Sequence, residues 1–333
     1  MGPTTPDKTF ITLPDNEKLQ NPVRPCDHYA GSEKFLEKAL ILQEQMGEAF
    51  DITIDMEDGA ARTNKIVLAR NLIETAKNFK NPSKRLGLRL PEVNNLQFEE
   101  IANLFIGQLD FDLSHITVSK TSNYPEFLVA KEILLSISRT NNTILPPLHV
   151  LIETNEVMDD ISKITNDPNV KSLEIGVMDF ISSFNGAIPM NECEGCNEFD
   201  NPIINQLKTV VILEAAKKRI TPVHNISREY QKTDLLKNFC LNVKKLGFPR
   251  MWSIHPAQIP IIVEILTPDK NEIITAIKIL EKARDHDWGP VSYDNKLHDF
   301  ASYRYYAGIL LRAKTLGREV PEGTNALLEN MNE

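Results

Sequence analysis

The chain has 333 residues, of which 41% are hydrophobic and 25% charged, and a formal net charge of −9. This is the composition of an ordinary globular protein, and its acidic balance argues against a nucleic-acid backbone or an anionic membrane as the main partner. No apolar run in the sequence is long enough to span a bilayer, and the first residues lack a charged region followed by an apolar one, so a cytoplasmic location is expected.

Residues 1–21 read as a Pro-rich, polar leader, expected to be loosely ordered. Short apolar runs then alternate with amphipathic stretches. A strand is expected at 23–30, "VRPCDHYA", with a helix at 32–47; a second at 51–58, "DITIDMED", with a helix at 63–79; a third at 85–90, "RLGLRL", with a helix at 95–107. "HITVSK" at 115–120 precedes a helix at 124–139, "LHVLIET" at 148–154 one at 155–165, and "SLEIGVMD" at 172–179 one at 201–218. "RITPVHN" at 219–225, a helix at 228–247 and "RMWSIHP" at 250–256 complete the alternation. Eight such units predict a parallel sheet closed into a (βα)8 TIM barrel. The rival, an open doubly wound sheet, usually carries G-x-G-x-x-G after its first strand, and "HYAGSEK" is not that motif. Past residue 268 the pattern becomes helical only, at 269–287 and 296–317 with a break at 288–295. The expected organisation is therefore a leader at 1–21, a barrel at 22–267 and a C-terminal helical segment at 268–333.

The four cysteines, Cys26, Cys193, Cys196 and Cys240, are too few and scattered for a disulfide framework. "CEGC" at 193–196 has metal-ligand spacing but no second pair or histidine nearby, and reads as a surface loop.

Strand parity locates candidate functional groups. In 51–58, Ile52, Ile54 and Met56 face one way and Thr53, Asp55 and Glu57 the other. In a barrel the apolar row meets the helices, so Asp55 and Glu57 point inward at the C-terminal mouth, where function sits in this fold. The same reading sends Leu86, Leu88 and Leu90 outward, leaves Gly87 and Arg89 inside, and places Glu153 inward, with Asp179 closing its strand at a corresponding height. Carboxylates directed at one space repel unless a cation lies between them. Hard oxygen donors without histidine or cysteine favour Mg²⁺, with Glu153 and Asp179 as direct ligands. Asp55, Glu57 and Asp58 then act through metal-bound water or by orienting other groups. Taken alone, Asp58 reads equally well as a cap for a helix starting near Arg62.

The motifs "ITIDMEDGAARTNKIVLAR", "LGLRL", "LIETNEVMDDISKI", "LEIGVMDF", "MWSIHPAQIPIIVEILTP" and "LHDFASYRYYAGILLRAK" resemble, in order and spacing, the citrate lyase β-subunit-like family, which includes malyl-CoA lyase. The resemblance runs from about residue 22 to 316. It implies a Mg²⁺-dependent barrel that cleaves or forms a carbon–carbon bond between an acyl thioester and a 2-oxo acid. By motif, Glu153 and Asp179 match the metal-binding acids, and Arg89 matches the arginine on the reacting carbonyl and carboxylate. Asp299 in "LHDFAS" matches an aspartate that reaches a neighbouring subunit's site, which implies a homotrimer or homohexamer with the C-terminal segment packed on a neighbour. Arg24 and Lys34 fall where relatives hold the nucleotide or phosphate part of coenzyme A. His255 in "SIHP" reads as a structural hydrogen-bonder rather than a base.

The sequence departs from the family pattern in loops that would receive the acyl carrier. The apolar-Pro-Gly turn after the first strand reads "CDHYAGSEK", the Pro before the strand-four lysine is Ser119, and the acid after strand seven is His224. His28 and Tyr29 could line a pocket for a different acid or be structural. A metal-dependent aldolase acting on free 2-oxo acids, without a thioester, and a non-catalytic ligand-binding barrel therefore stay open beside the lyase.

Overall fold

The structure is a computed structural model and describes residues 24–60, 64–79, 85–321 and 323–329. The leader at 1–21 and the first two residues of the expected barrel lie outside the described residues. The chain divides into two compact units, one covering 24–266 and the other containing the residues from Thr267 onward.

In the first unit eight parallel strands, β1 (Cys26–Ala30), β2 (Asp51–Asp55), β3 (Leu86–Arg89), β4 (His115–Val118), β5 (Leu148–Ile152), β6 (Val170–Ile175), β7 (Thr221–His224) and β8 (Arg250–Ser253), pair in chain order and close between β8 and β1. This is the (βα)8 barrel that the alternation implies. The helices are α1 (Glu33–Met46), α2 (Lys65–Asn78), α3 (Phe98–Gln108), α4 (Tyr124–Thr140), α5 (Ile161–Ile164), α6 (Val177–Ser182), α7 (Pro202–Lys218), α8 (Thr233–Leu246) and α9 (Ile259–Leu266). Their starts follow from capping chemistry. Ser32, Asn64, Asn123 and Asn201 each accept a first-turn N–H, and α4 and α7 carry proline in their first turn, where no donor is lost. Asn64, rather than Asp58, caps α2, because the helix begins at Lys65 and not near Arg62.

In α1 the buried side chains Leu36, Ala39, Leu40 and Gln43 recur at helical spacing, so one stripe faces the sheet. It packs in one cluster with the outward strand residues, among them Ile52, Ile54, Leu86, Leu88, Ile116, Val118, Val150 and Leu173. Strand parity is thus obeyed: apolar residues go out to the helices.

The inward row is polar where aliphatic layers are usual. Arg250 is fully buried and pairs with Asp27 at 2.7 Å and with Asp51, which also takes Arg85 at 2.6 Å. Thr53 donates to Asp27 at 2.8 Å and lies 2.9 Å from His115 Nε2; His149 Nδ1 lies 2.8 Å from Glu174. Arg250 thus faces two carboxylates of opposite charge, as burial in a low dielectric demands, and removing one partner of such a pair costs about 3–5 kcal/mol.

Beyond β6 the chain departs from the expected strand at 172–179. The strand ends at Ile175, and Asp179 falls in the first turn of α6. The stretch expected as one helix at 155–165 is a 3-10 turn at Glu156–Asp159 followed by the single turn of α5. Cys193 and Cys196 lie in two further 3-10 turns.

The second unit contains α10 (Lys270–Arg284), an antiparallel hairpin of β9 (Val291–Tyr293) and β10 (Lys296–His298), α11 (Phe300–Thr315) and α12 (Thr324–Glu329). The hairpin occupies the break expected at 288–295 and corrects the start of the helix expected at 296–317, which begins at Phe300 because 296–298 is strand. Its two-residue turn, Asp294–Asn295, has φ of 50° and 57°, the left-handed geometry that matches strand twist and that Asp and Asn tolerate. α10 and α11 each start in a reciprocal capping box, Asp269 with Glu272 and Asp299 with Ser302. Among the described residues no helix is long and apolar enough to cross a membrane.

Candidate active site at the barrel mouth

Asp55 and Arg89 end β2 and β3 as register partners. Arg89 donates to Asp55 through Nε at 2.8 Å and Nη2 at 2.6 Å, a bidentate fork that fixes the guanidinium plane. Asp55 also accepts the N–H groups of Glu57 at 2.9 Å and Gly59 at 3.0 Å, so its carboxylate is used up in shaping the loop and aiming Arg89. Gly59 is required for this, since a Cβ there would lie 2.2 Å from Asp55 Oδ2; one on Gly31 would lie 1.9 Å from the Gly59 carbonyl oxygen. The guanidinium stacks over Tyr29, 5.1 Å from its ring centre, and lies 5.9 Å from that of Trp252. Burial opposes its charge, but the Asp55 carboxylate outweighs this and raises its pKa above the ordinary arginine value.

Glu57 sits between Lys120 Nζ at 2.8 Å and Arg89 Nη1 at 3.5 Å. Burial pushes its carboxyl above the usual range despite Arg89. Lys120 also reaches Asp58 at 3.0 Å, and its backbone N–H donates to Glu153 Oε1 at 2.6 Å. Sequence parity sends Lys120 to the helix side of β4. Its left-handed backbone, φ 50°, turns it back to the mouth, and that local break is why the alternation does not reveal it. Glu153 is 2% exposed, and burial together with the negative charge of Asp179 pushes its carboxyl up to about 8. A Cβ on Gly176 would lie 2.6 Å from Glu153 Cβ, so the β6–α6 turn also presses against this acid.

The structure therefore gathers Asp55, Glu57, Arg89, Glu153 and Asp179 around one mouth, with Asp58 and Lys120. Five carboxylates face two cationic side chains there. The donors at Glu153 and Asp179 are all oxygen, and a buried acid with so high a pKa favours either a proton or a cation; this set fits a hard divalent ion.

Other expected residues are placed elsewhere. Arg24 precedes β1, at the opposite rim, where its side chain pairs with Glu48 and its carbonyl accepts from Arg250; it is not at the mouth. Lys34 is exposed in the first turn of α1, on the rim where β1 ends. Asp299 caps α11 in the second unit, its Oδ1 accepting from Ala301 N at 3.1 Å. His224 faces outward among Phe199, Phe239 and Phe248, so it does not replace an acid at the mouth. His28 also faces outward, with Nδ1 2.6 Å from the Ser253 hydroxyl, whereas Tyr29 faces inward and donates to Glu174 at 3.2 Å. His255 is an exposed cap whose Nδ1 accepts from Ala257 N, and it stacks on Tyr230.

Asp27, His115 and His149 form a second group with ligand-like composition inside the barrel. The two imidazole rings are stacked, 4.0 Å apart and within 9° of parallel. Lone pairs lie in the ring planes, and nearly parallel planes do not meet at one ion. Asp27 is moreover engaged by Thr53 and Arg250. This is a structural network.

No family model matches the chain. A solved citrate lyase from Burkholderia xenovorans LB400 is 33% identical, with 92% of this chain and 96% of that one covered and a TM-score of 0.83. The protein CitE from Mycobacterium tuberculosis, solved with magnesium, acetoacetate and coenzyme A, is 13% identical over 88% of this chain and 99% of its own, TM-score 0.65, a likeness of fold. A (3S)-malyl-CoA thioesterase from Cereibacter sphaeroides is 24% identical over 286 residues, 83% of this chain and 90% of the relative. By the near-complete match to the Burkholderia protein and the motifs that build this mouth, the chain belongs to the citrate lyase β-subunit-like family of lyases.

Proposed function

We propose that the protein is a Mg²⁺-dependent carbon–carbon lyase that cleaves, or forms, a β-hydroxyacyl thioester such as citryl-CoA or malyl-CoA, giving an acyl thioester and a 2-oxo acid. The observation that carries this reading is the fork between Asp55 and Arg89 beside the buried Glu153, whose carboxyl is pushed up to about 8. Mg²⁺ held by Glu153 and Asp179 would supply Lewis acidity that makes the substrate hydroxyl easier to deprotonate. Arg89, kept charged by Asp55, neutralises the negative charge on the substrate hydroxyl oxygen once its proton is lost and, in the condensation direction, the charge that develops on the 2-oxo carbonyl oxygen as the carbon–carbon bond forms. Asp55 is a positioning residue, because its oxygens are committed to Arg89 and the loop. Glu57 and Lys120 hold the neighbouring acids in register through fixed hydrogen bonds. Asp299, delivered from a neighbouring subunit of a cytoplasmic homotrimer or homohexamer, is assigned the proton transfer at the carbon of the acyl thioester. Lys34 is assigned the phosphates of coenzyme A; support for Arg24 is lacking, since it sits at the other rim.

The test is product analysis after incubating the purified protein and Mg²⁺ with malyl-CoA, citramalyl-CoA and citryl-CoA. The lyase reading expects acetyl-CoA plus glyoxylate, pyruvate or oxaloacetate. Free coenzyme A with an intact hydroxy acid would make it a thioesterase, the activity in the name of the Cereibacter relative. Cleavage of free hydroxy acids alone would make it an aldolase, and no turnover of any of these would leave a ligand-binding barrel.

A further inference from the structure

We propose that Tyr29 is a positioning residue for Arg89: its ring backs the face of the guanidinium that Asp55 holds by one edge. The proposal deepens the lyase reading and rests on it for the charge that Arg89 meets. Asp55 binds Nε and Nη2, so Nη1, standing 3.5 Å from Glu57, lies outside the fork. With the fork as pivot, a small tilt of the guanidinium displaces Nη1 most, and a rigid surface against its face blocks that tilt. Tyr29 supplies the surface, with the guanidinium carbon 5.1 Å from its ring centre. Both residues are 8% exposed, and a cation against an aromatic face is held more firmly when water is excluded.

Such a surface works only if it is itself fixed. β1 carries the backbone of Tyr29, one residue before the strand ends. Its ring lies 4.7 Å from that of Trp252 and packs with Leu151 and Val223 inside the barrel. Its hydroxyl donates at 3.2 Å to Glu174, a fully buried acid that also accepts from Thr117 at 3.4 Å and lies 2.8 Å from His149 Nδ1. A phenol that donates to a carboxylate carries more electron density in its ring, which strengthens the pull on a cation against its face. The buried Glu174, which the lyase chemistry does not itself use, thereby supports the mouth: it holds the ring that holds Arg89.

Tyr29→Leu removes the ring, and Tyr29→Phe keeps it while Glu174 retains Thr117 and His149. In crystal structures, Arg89 is expected to leave its wild-type position in Tyr29→Leu and to keep it in Tyr29→Phe. With whichever of malyl-CoA, citramalyl-CoA and citryl-CoA is cleaved, Tyr29→Leu is expected to lose about thirtyfold in kcat, the size of a desolvated cation–π contact, and Tyr29→Phe to stay within about fivefold. Asp55→Asn supplies a readout that a merely structural role would not move. If ring and carboxylate both act by aiming Arg89, adding Tyr29→Leu to Asp55→Asn lowers kcat by less than about threefold, whereas independent sites multiply their losses. Multiplied losses at native circular dichroism, an equal loss in Tyr29→Phe and Tyr29→Leu, or an unmoved Arg89 in Tyr29→Leu would each overturn the proposal. Tyr29→Met, which fills more of the volume of the ring, takes the place of Tyr29→Leu should that variant not be recovered folded. The position of Arg89 is read without turnover. A protein that cleaves no thioester while Arg89 shifts in Tyr29→Leu overturns the lyase reading only, and a lyase whose Arg89 stays in place overturns this proposal only.

Discussion

Asp55 and Arg89 stand opposite one another on adjacent strands and share two hydrogen bonds of 2.8 and 2.6 Å, so the carboxylate fixes both the charge and the plane of the guanidinium. Asn at position 55 keeps the shape but offers one neutral acceptor in place of two charged ones. Asp55→Asn is therefore expected to lower kcat/KM by about a hundredfold through misplacement of Arg89 while the fold stays native. Steady-state kinetics beside circular dichroism checks this; activity within threefold of wild type would show that the fork does not aim the arginine.

If Glu153 and Asp179 hold Mg²⁺, the folded state alone binds the ion, and saturating metal stabilises it by about 2.7 kcal/mol at a hundred times Kd. Thermal unfolding of the wild type is expected to shift upward with Mg²⁺. Glu153→Gln, nearly isosteric in its pocket, is expected to abolish the shift, and a chelator to abolish wild-type activity until Mg²⁺ is restored. An undiminished shift in Glu153→Gln would move the ion elsewhere.

The contact between the first two loops at the mouth is backbone against backbone. A methyl on Gly31 would lie 1.9 Å from the Gly59 carbonyl oxygen, with no flexible side-chain end to give way. Gly31→Ala is expected to destabilise the protein by roughly 2 kcal/mol or more by overpacking. The methyl of Gly59→Ala would meet Asp55 Oδ2 instead, at 2.2 Å, so that variant is expected to lose more activity than stability. Denaturant unfolding and kinetics on the two variants separate these effects.

What the sequence revealed of this site follows from one regularity. Strand alternation is set by the backbone, and so Asp55, Arg89 and Glu153 could be assigned to the interior from their neighbours alone. The departures come where that regularity stops. Lys120 has a left-handed φ and turns against its parity, Asp179 reaches the mouth from the first turn of a helix and not from the strand expected to carry it, and His224 obeys its parity, pointing into the aromatic cluster when motif position suggested the mouth. The hairpin in the second unit depends on a two-residue Asp-Asn turn between strands of three residues, too short for alternation to register.

Burial also leaves a titration signature. His28 and His149 are held to about 4, chiefly by desolvation of the charged form, against an ordinary value of 6.5. Between those values the unfolded chain takes up protons that the folded chain refuses, so stability falls as pH drops from about 6.5 toward 4, by up to about 3 kcal/mol per histidine. Unfolding free energies measured from pH 7 to 4 are expected to show this decline. His28→Asn, which can keep a polar atom near the Ser253 hydroxyl, should flatten it. An equally steep acid limb in that variant would assign the decline to other groups.

Asp299 combines two roles that a suitable substitution separates. Its carboxylate caps α11 by accepting from Ala301 and Ser302, and the same group is assigned proton transfer in a neighbouring subunit's site. Asn caps a helix about as well as Asp, whereas Ala costs about 1 kcal/mol. Asp299→Asn is therefore expected to unfold like the wild type yet lose at least a hundredfold in kcat, the usual size of a general acid–base contribution. If the residue acts across an interface, mixing subunits of Asp299→Asn with subunits of Arg89→Lys, each inactive alone, restores activity at sites that draw Arg89 from one chain and Asp299 from the other. Reassociated mixtures assayed against the separate variants decide it: no recovery on mixing, in oligomers shown by mass to be mixed, would confine Asp299 to its helix cap.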